Sequence, residues 1–220
     1  MKKIIISLGG SLIYPKQLDL KFLSDLKDIL YKEDYRFVLY CGGGHLARKL
    51  QKYASFFRLS KTMLDWIGIY ATRRNASTVK TILKDNMHKK IITDPTQRIE
   101  FNEKILIAAG WKPGWSTDYD SVLLAKNLGA DTVINMSNTD YVYDKDPKKF
   151  KDAKPIEHIA WKDFRKIVGD EWQPGLNMPF DPIASKEAEK SKIKVMLIGN
   201  DLDNLKDLLH NKKFKGTIIS

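Results

Sequence analysis

Cysteine is nearly absent from this chain, because Cys41 is the only one among its 220 residues. A single cysteine cannot form an internal disulfide, so the composition predicts a protein of a reducing compartment, and we expect the cytoplasm. The chain also lacks an uninterrupted apolar run of about 18 residues, so we expect no membrane span. Residues 1–13 begin with lysines and an apolar run, but Gly9 and Gly10 interrupt it. This start favours a buried first strand over a signal peptide.

Acidic residues are fewer than basic ones, 27 against 38, which gives a formal net charge of +11. The lysines are scattered and form no long basic run, so the charge favours solubility and anionic small substrates over a nucleic-acid partner. A hydrophobic content of 43% allows a real core and argues against disorder. Internal repeats and low-complexity tracts are also missing. The length suits one large or two small domains.

What is present is an alternation of short β-rich apolar runs with longer helical patterns, which predicts an α/β fold with a mostly parallel sheet. The predicted strands are Ile4–Leu8, Phe37–Cys41, Ile105–Ala109, Thr132–Met136 and Val195–Ile198, and the predicted helices are Asp19–Lys32, His45–Phe57, Leu64–Asp85, Asp118–Leu128, Pro182–Ser191 and Leu202–His210. Residues 141–159 and 169–182 carry the most loop signals. Ligands of such sheets bind at the carboxyl ends of the strands.

Glycines follow two of the predicted strands: Gly9 and Gly10 with Ser11 after the first, and Gly42, Gly43 and Gly44 after the second. Unpaired backbone N–H groups and the positive end of a helix dipole meet at such strand-to-helix exits. Arg48 follows the second exit by one helical turn, where its guanidinium can reach the same anion. The functional interpretation is a ligand with two or more anionic groups. The alternative is two ordinary tight turns with a solvated arginine.

Two known phosphate-binding motifs can be compared with these exits. The P-loop pattern G-x-x-x-x-G-K-[ST] does not occur in the sequence. The dinucleotide-binding fingerprint is nearly met by Gly42, Gly44 and Ala47, with Asp65 at about the right distance to bind a ribose. However, that acid should end a second strand, whereas Asp65 begins a helical pattern. A dinucleotide-dependent oxidoreductase stays an alternative.

Three further groups of polar residues have both a structural and a functional interpretation. They are a helical stripe of Asp65, Gly68, Thr72 and Asn75; two helix starts, with Ser116 or Thr117 as a cap before Asp118 and Asp120, and Asp181 before Pro182; and Asn138, Thr139, Asp140, Tyr143, Asp144 and Asp146 after a strand. The stripe suits a polar ligand or a helix–helix contact. Capping explains the helix starts, which could also place charge beside phosphates. The last group suits a sugar and a base, or an acidic turn.

Seven motifs, in this order along the chain, resemble the amino acid kinase family and are most similar to its archaeal-type uridylate (UMP) kinase branch. They are SLGGSL, GGGHLARK, DWIGIYATRRNA, PGWSTD, NTDYVYDKDPKK, FDPIASK and GTII, and they span essentially the whole chain. The resemblance implies a three-layer αβα sandwich, a single domain over residues 1–220, and ATP-dependent phosphorylation of UMP to UDP with Mg²⁺. It also implies a homohexamer. About residues 1–115 would bind the acceptor, and about residues 116–220 would bind ATP.

The resemblance also assigns site residues. Arg48 would bind the acceptor's phosphate and Asp65 its ribose hydroxyls, with the other substrate-binding candidates being Gly9, Gly42, Gly43, Gly44, Thr72, Trp111, Ser116 and Thr117. ATP would contact Gly9, Gly10, Ser11, Asn138, Thr139, Asp140, Tyr143 and Asp146. Backbone N–H groups of Gly9, Gly10, Gly43 and Gly44 would hold phosphates. Asp181 would organise the transferred phosphoryl group, and Lys186 would neutralise its charge.

Three departures from the family pattern bear on activity. Ser7 stands where many relatives carry a lysine, Tyr141 replaces a usual glycine, and Ala109 replaces another in a segment that adds Trp111 and Trp115. Two alternatives therefore stay open besides UMP kinase. One is an enzyme of the same fold with another acceptor, such as a carboxylate or isopentenyl phosphate. The other is an inactive nucleotide-binding or storage protein.

Overall fold

The computed structural model describes residues 1–147, 149–171 and 178–220. In these ranges the strands are β1 (Lys3–Leu8), β2 (Arg36–Cys41), β3 (Ile105–Ala109), β4 (Thr132–Met136), β5 (Val142–Tyr143), β6 (Pro155–Ile156), β7 (His158–Ile159), β8 (Lys194–Ile198) and β9 (Thr217–Ile219). The helices are α1 (Gly10–Ile13), α2 (Leu20–Lys32), α3 (Gly44–Ser55), α4 (Lys61–Leu83), α5 (Thr117–Leu128), α6 (Trp161–Val168), α7 (Pro182–Lys190) and α8 (Leu202–Leu209). None of these helices is long and apolar enough to cross a membrane.

The main sheet has the strand order β3-β2-β1-β4-β8-β9-β7. The five neighbouring strands β3, β2, β1, β4 and β8 are parallel, and β9 runs antiparallel to β8. From β1 the chain builds the sheet first towards β2 and β3, and later in the other direction through β4 and β8. The order therefore reverses between β1 and β4, and this switch point is where open α/β sheets bind ligands.

Helices cover both faces of the sheet. Successive side chains of a strand point to opposite faces, so each strand packs against both helix layers. Along β2, for example, Val38 and Tyr40 pack on one face with residues of α5, α6 and α7. Phe37 and Leu39 pack on the other face with residues of α2, α4 and α8. The predicted α/β class and the αβα sandwich implied by the resemblance are confirmed.

The predicted strands and helices are found with end shifts of a few residues. Six elements were not predicted from the sequence: α1, α6, β5, β6, β7 and β9. In α1 and the four strands, segments of two to four residues carry too few side chains for a period to be recognised. The eight-residue helix α6 directly follows the segment with the most loop signals. The predicted caps are found: Ser116 accepts from the Tyr119 N–H, and Asp181 accepts from the Ala184 N–H, with Pro182 in the first turn. Of the loop predicted over residues 169–182, residues 172–177 lie outside the described residues.

Candidate active site

The two glycine bends, residues 9–11 after β1 and residues 42–44 after β2, contact each other directly. A Cβ atom added to Gly10 would lie 2.3 Å from the Gly42 carbonyl oxygen, and one added to Gly44 would lie 2.2 Å from the Gly10 carbonyl carbon. Gly44 also has φ +55, a left-handed conformation that side chains other than hydrogen disfavour. Backbone approaches this close are possible only between glycines. Their function is therefore to bring two strand exits together.

The backbone N–H groups of the bends divide into two sets. The Gly9 N–H donates to the Met136 carbonyl at 2.8 Å, and the Gly42 N–H donates to the Leu8 carbonyl at 2.9 Å. No hydrogen bond within the described residues uses the N–H groups of Gly10, Gly43 or Gly44. The prediction that the Gly9 N–H holds phosphate is therefore corrected, because the sheet already uses that donor. Three donors at the starts of α1 and α3 stay available to an anion.

Asn75 of α4 supports the second bend from behind. Its Nδ2 donates to the carbonyl oxygens of Gly42 at 2.8 Å and Gly43 at 3.3 Å, and the residue is 2% exposed. Because these carbonyls are bound on the α4 side, the peptide groups have a fixed orientation. The predicted polar stripe of α4 thus faces the glycine bend.

We expect Asn75→Asp to destabilise the protein by about 2–4 kcal/mol at neutral pH. A carboxylate cannot donate and would face two carbonyl oxygens in a buried site. Asn127→Asp is a matched control, because the Asn127 amide also donates to two carbonyls, those of Pro95 and Gln97, but is exposed. Denaturant unfolding measures both variants. Equal losses of unfolding free energy would contradict this role of Asn75.

An open pocket of about 250 Å³ lies beside the second bend, between α3, α4 and the start of α5. We call it the α3–α4 pocket. Its lining residues are Gly43, Gly44, Ala47, Arg48, Gln51, Asp65, Gly68, Ile69, Thr72, Gly110, Trp115, Ser116 and Thr117. Seven of the predicted substrate-binding residues are therefore brought together, although they are spread over more than 70 positions of the sequence.

Arg48 and Asp65 give the pocket its charge. Arg48 is exposed and forms no ion pair with any residue that the structure describes, so its guanidinium is free to bind an anion. Asp65 is half-buried, and its Oδ2 accepts from the Gly114 N–H at 2.8 Å. Asp65 lies inside α4, not at the end of a strand. The dinucleotide-binding alternative is therefore wrong, because its ribose-binding acid needs that strand.

Two predicted substrate contacts differ from the observed geometry. Thr72 lines the pocket, but its Oγ1 donates to the Ile69 carbonyl at 2.7 Å and accepts from the Gly110 N–H at 2.9 Å. The hydroxyl proton is thus not available to a substrate. Trp111 is not among the described residues that line the pocket, and Trp115 has that place. The Trp115 ring stacks on Tyr119 at 4.2 Å between centroids, whereas Lys112 covers Trp111.

A pair of carboxyl groups lies next to the pocket at the starts of α5 and α7. The Asp118 Oδ2 accepts from the Asp181 N–H at 3.3 Å, and the Asp118 Oδ1 accepts from the Ser7 hydroxyl at 3.2 Å. Burial and the neighbouring Asp181 raise the pKa of Asp118 to about 7. Burial also raises the pKa of Asp181, whose Oδ2 has no hydrogen-bond partner among the described residues. The β1 residue that contacts this pair, Ser7, carries no charge.

Apart from Gly9, Gly10 and Ser11 of the first bend, the residues predicted to bind ATP follow β4, on the other side of the switch point. The Gly9 bend joins the two sides, because an added Gly9 Cβ would lie 2.9 Å from the Met136 carbonyl oxygen at the end of β4. Asn138 and Asp140 are exposed there, while Thr139 and Tyr143 are half-buried. The Asp140 side chain packs over Gly199, just after β8. Asp146 is exposed further along the same connection.

Lys186 lies in α7, five residues after the Asp181 cap, with an exposed side chain. It forms no ion pair within the described part of the chain, and its charge acts on Asp170. The structure does not place it among the residues of the α3–α4 pocket. Its role at the transferred group stays a prediction.

The sequence analysis did not select five residues that line the pocket or support its wall as site residues: Gln51, Ile69, Arg73, Gly110 and Trp115. Gln51 donates to the Leu64 carbonyl at 3.0 Å, and its side chain contacts Gly68. The glycine within the α4 stripe was the available signal, because a helix approaching this closely needs one. The stripe is therefore both a helix–helix contact and a pocket wall.

Comparison with known proteins places these features in a family. Residues 2–199 match the model of the amino acid kinase family. The chain is 34% identical to a uridylate kinase of Pyrococcus abyssi, over 99% of both chains, and 33% identical to one of Thermoplasma volcanium, over 96% of this chain and 94% of the relative. The crystal structure of uridylate kinase from Archaeoglobus fulgidus superposes with a TM-score of 0.82 at 31% identity, over the full length of both.

A more distant structure shows the fold alone. The UMP kinase from Ureaplasma parvum has a TM-score of 0.78 at 20% identity, covering 100% of this chain and 98% of that one. The family model spans both glycine bends, the α3–α4 pocket and the β4 exit. The chain therefore belongs to the amino acid kinase family.

Proposed function

We propose that this protein is an ATP-dependent kinase that phosphorylates UMP to UDP. The observation that carries the proposal is the unpaired Arg48 in a pocket that also contains Asp65 and borders the free N–H groups of Gly43 and Gly44. A monophosphate suits the guanidinium, and ribose hydroxyls suit a carboxylate. The relatives named uridylate kinase support UMP as the acceptor.

In this proposal the chain's own residues position the substrates. Phosphoryl transfer needs an in-line approach and neutralisation of charge on the transferred oxygens, and little covalent chemistry from the protein. In the proposal, Arg48 holds the acceptor's phosphate in the α3–α4 pocket. Gly10, Gly43 and Gly44 donate to the phosphates between acceptor and donor. ATP reaches the same bends from the β4 side, so the approximate division at residue 115 separates acceptor and ATP sides.

The free N–H groups and the side-chain-free bends fit the phosphates of ATP. Mg²⁺ would supply additional neutralisation of the phosphate charge. The described residues contain no group of three or more His, Cys, Asp or Glu arranged to hold a metal, so we assign no protein ligand to it. In the proposal Mg²⁺ is bound through the nucleotide's phosphates.

An acceptor panel tests the proposed function. Purified protein with ATP and Mg²⁺ should form ADP fastest with UMP, compared with the other nucleoside monophosphates, isopentenyl phosphate and a carboxylate such as glutamate. A faster reaction with isopentenyl phosphate or the carboxylate would support the same fold with another acceptor. Binding of ATP without turnover of any acceptor would support the inactive nucleotide-binding alternative.

We further propose a homo-oligomer, with the hexamer as the expected form, in the cytoplasm. Its support is an exposed apolar surface at the end of α3 and on α4, formed by Tyr53, Phe56, Phe57, Met63, Trp66 and Tyr70. Phe56 and Phe57 are 75% and 78% exposed, which is unusual for a monomer's surface. For the cytoplasm, the support is that Cys41 is the only cysteine of the chain, so no internal disulfide can form.

We expect Phe56→Asp/Phe57→Asp to lower the molar mass measured by light scattering after gel filtration. Two carboxylates on this surface would have to be desolvated in an interface. Phe150→Asp is a control, because Phe150 is also exposed but lies in the connection after β5. An unchanged mass in the double variant would exclude this surface as the interface.

A further inference from the structure

A buried carboxyl group, Asp120 of α5, lies behind the wall of the α3–α4 pocket. Asp120 is 0% exposed, and its Oδ1 has no hydrogen-bond partner among the described residues. Its Oδ2 lies 3.1 Å from the Tyr40 hydroxyl oxygen and accepts from the Trp111 N–H at 3.1 Å. The Tyr40 hydroxyl oxygen also lies 2.7 Å from the Ala109 carbonyl oxygen. Three oxygens from β2, β3 and α5 are thus connected in a row.

The number of protons shared by these three oxygens bears on the protonation state of Asp120. Two separate hydrogen bonds across the oxygen–oxygen contacts at 2.7 and 3.1 Å need one proton each. The Ala109 carbonyl has no proton, and a tyrosine hydroxyl has one. Tyr40 can donate to either oxygen, and the contact to Ala109 is the shorter one, which favours the tyrosine proton there. With the tyrosine proton on Ala109, the proton of the second contact would come from the Asp120 carboxyl group.

The row holds the start of the β3–α5 loop, residues 110–116. Gly110 is fixed on one side by its N–H bond to Thr72, and Arg73 donates to the carbonyls of Gly110 at 3.2 Å and Trp111 at 3.0 Å. Asp120 and Tyr40 bind the same segment from the other side. Gly110, Trp115 and Ser116 of this loop line the pocket. The loop conformation therefore sets one wall of the acceptor site.

The charged groups near Asp120 and Tyr40 lie on α5, on α4 and at the start of α7. Asp118 of α5 and Asp181 at the start of α7 are acidic, and Arg73 of α4 faces Tyr40 of β2 from beyond the loop. Burial raises the pKa of Asp120 to about 7, and the two acidic neighbours add to the rise. Burial also raises the pKa of Tyr40 well above its ordinary value, so the tyrosine keeps its single proton.

We propose that Asp120 is a positioning residue that acts as a neutral acid: it donates to Tyr40, Tyr40 donates to Ala109, and this relay fixes the β3–α5 loop for acceptor binding. Loss of the Asp120 proton turns the tyrosine hydroxyl towards the carboxylate. The buried Ala109 carbonyl then loses its donor, and the pocket wall loosens. The acceptor's KM, and not the KM of ATP, should therefore rise with pH. The acceptor part of this inference rests on the proposed function.

Infrared spectroscopy tests the protonation state without any substrate. The difference spectrum between wild type and Asp120→Asn at about pH 6 should contain the C=O band of a protonated carboxylic acid, and the band should disappear as the pH rises through about 7. Its absence at about pH 6 would show an ionised Asp120 and overturn the proposal. This result does not depend on whether UMP is the acceptor.

Kinetics test the positioning role with the acceptor that the panel identifies. The phosphate of a nucleotide itself titrates at about pH 6, which changes the acceptor KM of every variant. The informative quantity is therefore the acceptor KM of wild type divided by that of Asp120→Asn at the same pH. We expect this ratio to rise at least about threefold between about pH 6 and about pH 8.5, with the KM of ATP unchanged. A constant ratio would overturn the positioning role, even where the infrared band is found.

Tyr40→Phe and a matched control complete the test. Tyr40→Phe removes the relay and should raise the acceptor KM about tenfold at every pH. Tyr35→Phe removes a tyrosine hydroxyl that donates to the Leu209 carbonyl at 3.2 Å, far from the pocket. It should keep the wild-type KM and pH profile. Equal effects of the two tyrosine variants would contradict a specific role of the relay.

Discussion

Gly44→Ala is expected to reduce kcat/KM for phosphoryl transfer by at least about a thousandfold. The new Cβ would lie 2.2 Å from the Gly10 carbonyl carbon and 2.3 Å from the Ser11 nitrogen, both of them backbone atoms that cannot rotate away. The two glycine bends would have to separate, which displaces several phosphate donors at once. The φ of +55 adds strain, so we also expect a loss of about 2–4 kcal/mol in unfolding free energy.

Gly129→Ala separates the effect of strain from the effect of contact. Gly129 has φ +68 at the end of α5, but an added Cβ would find no atom within 4 Å. The Gly129→Ala variant should lose about 1 kcal/mol of unfolding free energy, measured by denaturant unfolding, and keep its activity. A Gly44→Ala enzyme with more than a tenth of the wild-type activity would refute the shared role of the two bends.

Arg48→Ala is expected to lower kcat/KM for the acceptor by about 10²–10³, through a higher acceptor KM and a lower kcat. Arg48 is the basic side chain among the pocket-lining residues, and its guanidinium has no ion-pair partner in the described part of the chain. Arg48→Lys keeps the charge and loses the bidentate geometry, so an intermediate loss is expected. Steady-state kinetics with each substrate varied in turn measures these effects, and the KM of ATP should stay within about twofold.

Lys49→Ala is the control for Arg48. Lys49 is the next residue of α3 and is exposed, but it does not line the pocket. Its removal changes the net charge equally and should leave the acceptor KM unchanged. If both variants raise the KM of ATP and leave that of the acceptor alone, Arg48 belongs to the donor side and the acceptor assignment is wrong.

The fold and the position of the site could be predicted from local patterns. Each main strand, such as Ile105–Ala109, is a continuous apolar run, and each long helix has its own period or cap. The glycines after β1 and β2 indicated the bends because consecutive glycines are favoured where backbone atoms come close or φ is positive. Arg48 and Asp65 could be selected from the family resemblance, and the α4 stripe from its helical spacing.

What could not be predicted depends on contacts between distant parts of the chain. The Gly9 N–H is used by Met136 of a strand more than 120 residues later, which no local pattern indicates. Trp115 lines the pocket and Trp111 does not, which depends on the path of the β3–α5 loop. The Tyr40–Asp120 contact joins residues 80 positions apart, and in the sequence Asp120 looks like an ordinary acid in the first turn of a helix.

The central claim is that N–H groups from both glycine bends bind one run of phosphates, and NMR of glycine-labelled protein tests it most directly. The chain has 13 glycines, so ¹⁵N-glycine labelling gives few signals. With a bisubstrate analogue that joins adenosine and uridine through five phosphates, we expect large amide shifts for Gly10, Gly43 and Gly44 and none for Gly129. Shifts confined to one of the two bends would contradict the account.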